Sequence, residues 1–195
     1  MCNEEKSLSE FNFNTPFKFL YISSVVQYKH QSNVVEVIAK MRNNKFPVSL
    51  TMVGEIGDKK TGELLTKKIS FVDPNGEFIT WEKNIGLNYI AEFYHSTDAF
   101  VFASSCENMP NILIEAMASG LPIACSNFNP MPEFIENACI YFNPTRINEI
   151  EQALLELITN KDLRSNISQK SFECSKKYNW NLCADKTFDF LSTFL

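Results

Sequence analysis

The signatures that most often mark a phosphate or metal site are missing from this sequence. There is no G-x-G-x-x-G and no G-x-x-x-x-G-K-[ST], and the glycines of GEIGDKKTG fit neither spacing, which argues against a standard dinucleotide or P-loop site. D-x-D, H-E-x-x-H and G-x-S-x-G are absent as well, so metal-assisted and serine-nucleophile chemistry have no support in the motifs, and no metal site is expected. The six cysteines form no C-x-x-C pair and do not group with the two histidines, which reads as free thiols in a reducing compartment rather than a zinc site or a disulfide framework. A signal peptide needs a basic and then an apolar region, whereas the first ten residues, MCNEEKSLSE, are polar and acidic; no apolar run reaches the length of a membrane span. The expected location is the cytoplasm, with peripheral membrane attachment left open for a longer enzyme.

Basic charge is also scarce. The formal net charge of -5 makes broad binding to nucleic acid or to an anionic membrane an unfavourable reading, so any phosphate must be held by local amides and a few cations. What is present is core-forming residue. With 195 residues, 45% hydrophobic and 21% charged, the chain can bury one full core and is not disordered.

Strand and helix signals alternate along it. FKFLYIS (17–23), PVSLTMVG (47–54), EFIT (77–80), DAFVFAS (98–104), LPIACS (121–126) and CIYFN (139–143) read as strands. Between them lie QSNVVEVIAKMRN (31–43), a lysine-rich segment (59–70), LNYIAEFYHS (87–96), the run around residues 110–119, and PEFIEN (132–137), which read as helices. Six strands separated by helices predict an α/β, Rossmann-like doubly wound parallel sheet covered on both faces. Residues 146–195 carry three further helical segments and no strand signal, and residues 1–15 read as a linker or frayed end.

In such sheets ligands sit beyond the carboxyl ends of the strands, where loops enter helix N-termini. Two loops there carry charge. SSVVQYKH (23–30) follows the first strand and brings Lys29 and His30 to the start of the next helix. CENMPNILIEAMASG (106–120) follows the fourth, with Glu107 in the entering loop and Glu115 on the helix. Asn108 or Met109 is placed to cap that helix, Pro110 suits its first turn, and Gly120 ends it. Two carboxylates, one near the positive end of a helix dipole, can bracket a polar ligand held by backbone amides. Taken singly, each also has an ordinary reading as a capping or solvated acid. His95 reads as a helix-end histidine, and Cys106 as a small filler without a cationic neighbour in sequence.

SSCENMPNILIEAMASGLPIACS followed by PEFIENACIYFNP resembles the donor-binding C-terminal domain of retaining GT-B glycosyltransferases of the family 4 type. That family carries two glutamates in an S-x-x-E-x-x-P-x-x-x-x-E-A-M-A-x-G-x-P setting. The resemblance implies that Glu115 accepts the ribose hydroxyls of a nucleotide and that Glu107 contacts the donor sugar. It also implies that the amides of Asn108, Met109 and Asn111 approach sugar and phosphates, and that Lys29 neutralises the diphosphate as the glycosidic bond breaks. His30 is a possible helper of that lysine, and Trp81 a candidate for lining the base pocket after the third strand. The chain departs from the family where a glycine and then an arginine usually follow the first strand: it has Ser23 and Ser24, leaving one lysine where two cations are usual.

The resemblance further implies residues 16–179 as a nucleotide-sugar domain, with no cofactor and a UDP-sugar as the favoured donor. The acceptor, a glycan or lipid-linked sugar in polysaccharide or glycoconjugate synthesis, would be held by a missing N-terminal domain. The segment WNLCADKTFDFLSTFL (180–195) is implied to be a helix that packs on that domain, and in its absence either to fold onto its own body or to expose an apolar patch that drives self-association, of which self-association is the expected outcome. The chain by itself is then expected to bind donor without transferring sugar. Three alternatives stand beside this: a nucleotide-sugar binding module without transfer activity, a GT-B-fold sugar epimerase, and a structural domain with a vestigial site.

Overall fold

The computed structural model describes residues 10–194. Its centre is a parallel sheet of six strands: β1 (Phe17–Ile22), β2 (Val48–Val53), β3 (Ile79–Glu82), β4 (Ala99–Phe102), β5 (Ile123–Ser126) and β6 (Ile140–Phe142). In space they run β3-β2-β1-β4-β5-β6. The order therefore reverses between β1 and β4, whose pairing is Phe19 with Ala99 and Leu20 with Phe100, and in sheets of this kind ligands bind beyond the strand ends at such a reversal.

The helices are α1 (Gln31–Asn43), α2 (Lys59–Val72), α3 (Ile90–His95), α4 (Asn111–Ala118), α5 (Met131–Ile135), α6 (Ile147–Thr159), α7 (Lys161–Ser175) and α8 (Trp180–Ser192). Right-handed crossovers on either side of the reversal put helices on opposite faces. Accordingly α1 packs against α2 and α6, while α4 packs against α5 and α7. Because both faces are covered, β4 and β5 are buried at every position, and their sequences AFVF and IACS show no polar alternation. Phe17, Phe19, Phe100 and Phe102 are fully buried, and the Phe17–Phe19 and Phe100–Phe102 ring centroids lie 5.0 and 6.3 Å apart; truncating one such ring to alanine costs about 3–5 kcal/mol.

The expected architecture is therefore present, with local shifts. The third strand is ITWE rather than EFIT, because Asp73 accepts the N–H groups of Glu77, Phe78 and Ile79 and holds residues 77 and 78 in the turn. In the segment read as a linker, Phe11 is buried and meets the Phe17 ring edge-on at 5.1 Å; residues 1–9 lie outside the described residues. Asn179 caps α8 by accepting the Leu182 N–H, yet no residue of α8 is buried. Trp180 is 76% exposed, Phe188 71% and, just beyond the helix, Phe194 74%. Among the described residues no helix is long and apolar enough to cross a membrane.

Candidate nucleotide-sugar site

The loop after β1 turns through Ser23–Val26 and a single 3-10 turn, Gln27–Lys29, before α1. Gly54, at the end of β2, has φ +144°, and a Cβ there would lie 2.1 Å from the Ser23 carbonyl oxygen. Only glycine lets the β2 exit pass this close to the β1 exit. Gln31 fixes the loop from the helix side, donating to Ser23 Oγ and to the Ser24 carbonyl, each at 2.9 Å. His30 joins the 3-10 turn to α1 in a left-handed conformation, φ 49° and ψ 28°.

The loop after β4 is tied to it. The Ser105 N–H donates to the Tyr28 carbonyl at 2.8 Å, and His30 Nε2 and Ser105 Oγ are hydrogen-bonded at 2.8 Å. Partial burial pushes the His30 pKa below the ordinary value near 6.5. Beneath this strap the buried Tyr21 hydroxyl donates to the Lys29 carbonyl, and burial pushes the Tyr21 pKa far up, so it remains a neutral donor.

Lys29 Nζ then forms an ion pair with Glu107 Oε1, the two side chains being only 9% and 13% exposed. The ammonium also lies 5.3 Å from the centroid of the Phe102 ring, within cation–π range. Two residues read from separate motifs thus meet at the reversal between β1 and β4. A nearly desolvated pair gains more from its Coulomb attraction than a surface pair does, and costs more when one partner is lost.

Glu115 lies on α4, exposed, and its Oε2 accepts the Tyr94 hydroxyl at 3.2 Å. Asn108 and Met109 are exposed in the loop, and among the described residues their N–H groups have no backbone acceptor. Asn111 differs: its N–H donates to the Met109 carbonyl at 2.9 Å and is already used by the turn. Expected capping by Asn108 or Met109 is not what the structure has. Pro110 is the N-cap residue, no side chain caps the helix, and the Pro110 carbonyl accepts the Leu113 and Ile114 N–H groups. The reason is the turn at Met109, which moves the helix start one residue past the proline. Gly120 closes the end with φ +74°, as its position implies.

Trp81 lies within β3, at the sheet edge and separated from β1 by β2. Its indole N–H donates to the Gly54 carbonyl at 2.9 Å, and Lys83 Nζ sits 4.4 Å from its ring centroid. Its polar atom is spent on the β2 exit, and it is not joined to Lys29, Glu107 or Glu115 by any contact among the described residues. Cys106 is exposed beside Glu107 and unpaired as a thiol.

The reading of sequence passed over Tyr94, Gln31 and Ser105, the residues that hold the charged ones. A signal existed for Tyr94: it stands on the core face of α3 beside Phe93, where a phenol needs a partner for its hydroxyl. Neither Gln31 nor Ser105 has a comparable signal.

Residues 3–173 match the family described as Glycosyl transferases group 1. The O-antigen chain mannosyltransferase B of Escherichia coli is 25% identical over 96 residues, which is 49% of this chain and 25% of that protein. An uncharacterized glycosyltransferase of Haemophilus influenzae is 27% identical over 179 residues, 89% of this chain and 48% of that protein. In fold, the chain superimposes on the crystal structure of Anabaena Alr3699/HepE in complex with UDP and glucose with a TM-score of 0.80 at 14% identity, covering 92% of this chain and 49% of that one. The chain thus spans from a quarter to about half of the length of these relatives. With the family matched over most of its length and the doubly wound sheet of its GT-B neighbours, the chain belongs to the glycosyl transferases group 1 family.

Proposed function

We propose that this chain is the donor-binding half of a retaining, family 4-type glycosyltransferase, which takes a nucleoside diphosphate sugar, a UDP-sugar above others, and delivers the sugar to an acceptor hydroxyl. The observation that carries the reading is the meeting of Lys29 and Glu107 in one largely buried ion pair at the reversal of the sheet. A bound diphosphate supplies Lys29 with a second anion and releases Glu107 toward the sugar. Lys29 then offsets the charge that grows on the leaving phosphate, where a preorganised cation in a poorly solvated site acts most strongly. The Asn108 and Met109 N–H groups are donors for the same charge, and Glu115 accepts the ribose diol with its two oxygens. His30 assists through the strap to Ser105 and, when protonated, as a cation.

In this reading no metal takes part. The acceptor hydroxyl attacks on the face from which the nucleotide leaves, with the departing phosphate assisting, and a domain across the crevice positions it, as proximity catalysis requires. The acceptor is proposed as a glycan or lipid-linked sugar, the compartment as the cytoplasm, and the isolated chain as inactive in transfer. Its uncovered α8 is proposed to self-associate. Calorimetric titration with UDP, UDP-sugars and other nucleoside diphosphates tests donor binding, and incubation with donor and candidate acceptors tests inactivity.

A second reading rests on Ser24. Its side chain is exposed, where the resembled family has an arginine, and its carbonyl is held by Gln31. One cation in place of two favours a nucleotide-sugar binding module without transfer activity. Transfer of sugar by this chain together with a complementary acceptor domain would separate the two, since only the first reading allows it.

A further inference from the structure

We infer that Tyr94 is the positioning residue for Glu115 and that the pair makes the site selective for ribonucleotides over 2′-deoxyribonucleotides. The inference rests on the proposed ribose role of Glu115 and adds a residue and a selectivity to it.

Tyr94 is 6% exposed, on the core side of α3, with its ring centroid 5.8 Å from that of Phe100 on β4. The turn that follows is held by Thr97, whose Oγ1 donates to the Phe93 carbonyl at 3.0 Å. The phenol therefore stands on a fixed base. Its hydroxyl reaches Glu115 Oε2 at 3.2 Å and the Ile112 carbonyl of the same helix at 3.4 Å. Burial, and next the Glu115 charge, push its pKa well up, so the group is a hydrogen-bond donor at every physiological pH.

Glu115 needs such a support because it is exposed on α4. An exposed glutamate side chain samples many rotamers and loses that freedom on binding a ligand. A donor on a rigid element removes part of the loss in advance. The phenol occupies one lone pair of Oε2 and leaves Oε1 together with the other Oε2 lone pair, the number of acceptors that the two hydroxyls of a cis-diol require. A 2′-deoxyribose fills only one of them. Discrimination then depends on the carboxylate being held, which is the work of Tyr94. A purely structural phenol would instead satisfy its own hydroxyl and have no effect on ligand choice.

The test is calorimetry with UDP and 2′-deoxy-UDP on the 195-residue chain, wild type, Tyr94→Phe, Glu115→Gln and the double variant. Tyr94→Phe keeps the ring against Phe100 and removes only the donor. It should narrow the UDP to 2′-deoxy-UDP affinity ratio by about threefold to tenfold, and add nothing once Glu115 is Gln. Equal losses for both ligands, or the same narrowing in the Glu115→Gln background, would overturn the positioning role. Glu115→Gln without any change in the ratio removes the ribose role itself, a result distinct from failure of Tyr94 alone. A readout on the unmutated chain guards against a folding effect: the Tyr94 Cζ resonance should shift on adding UDP and less on adding 2′-deoxy-UDP, and a resonance unmoved by UDP would also overturn the inference.

Discussion

Lys29 and Glu107 stand 78 positions apart in sequence and form one ion pair, joining the loop after β1 to the loop before α4. Each is the other's principal counter-charge in a nearly desolvated place. The pair therefore ties the two loops together, and the proposed diphosphate role of Lys29 requires that a bound ligand compete with Glu107 for the ammonium.

Glu107→Gln should lower the melting temperature of the ligand-free chain, because it leaves an ammonium with little solvent and no counter-charge, a loss of about 1–3 kcal/mol. UDP restores an anion beside Lys29, so it should raise the melting temperature more in the variant than in the wild type. Scanning fluorimetry with and without UDP reads both shifts. Equal UDP shifts in the two proteins would mean that the diphosphate does not reach Lys29.

Lys29→Ala should weaken UDP more than uridine, since only the diphosphate loses a charged partner. With the pair at 9% and 13% exposure, salt should screen this difference less than it screens a surface lysine. Titrations at low and high ionic strength check it. Equal weakening of UDP and uridine would assign Lys29 a purely structural place.

His30 yields a pH dependence whose sign follows from its lowered pKa. The folded chain binds the His30 proton less readily than the unfolded chain, so this group destabilises the fold as pH falls below the ordinary value near 6.5, and leaves stability unaffected above it. His30→Gln should flatten the melting-temperature profile in that window. A diphosphate near His30 favours the charged form, so UDP binding near pH 6 should take up a proton, visible as a dependence of calorimetric heat on buffer ionisation enthalpy. No proton uptake would remove His30 from the phosphate contacts.

Most of the fold was legible in the sequence because a parallel sheet covered on both faces writes its strands as apolar runs, as AFVF and IACS do. Boundaries were less so where side chains capture backbone groups: Asp73 delays β3, and the turn at Met109 delays α4. In the site, the charged residues were legible because their motifs are local and lie at strand ends. Their partners were not. That Lys29 meets Glu107 and that Ser105 meets His30 depends on the spatial order of β1 and β4, which no spacing within either loop encodes. The same holds for Trp81: its place on β3, with β2 and β1 between it and β4 and with its N–H used by Gly54, follows from β3 being the sheet edge.

The tail should behave as an uncovered interface. With Trp180, Phe188, Phe190, Leu191 and Phe194 exposed and no residue of α8 buried, the chain should self-associate at micromolar concentration. Phe188→Asp with Leu191→Asp should return it toward monomer mass in light scattering, with the unfolding free energy of the body changed by less than about 0.5 kcal/mol. A wild-type chain that stays monomeric at high concentration would contradict this.

The central claim is that the crevice beyond β1 and β4 binds a nucleoside diphosphate through Lys29 and Glu115. It is tested most directly by calorimetric titration of UDP into the wild-type chain, Lys29→Ala and Glu115→Gln. The account predicts saturable one-site binding to the wild type, weakened by about 1–3 kcal/mol in each variant. Wild-type binding that neither substitution alters, or no binding at millimolar UDP, would contradict it.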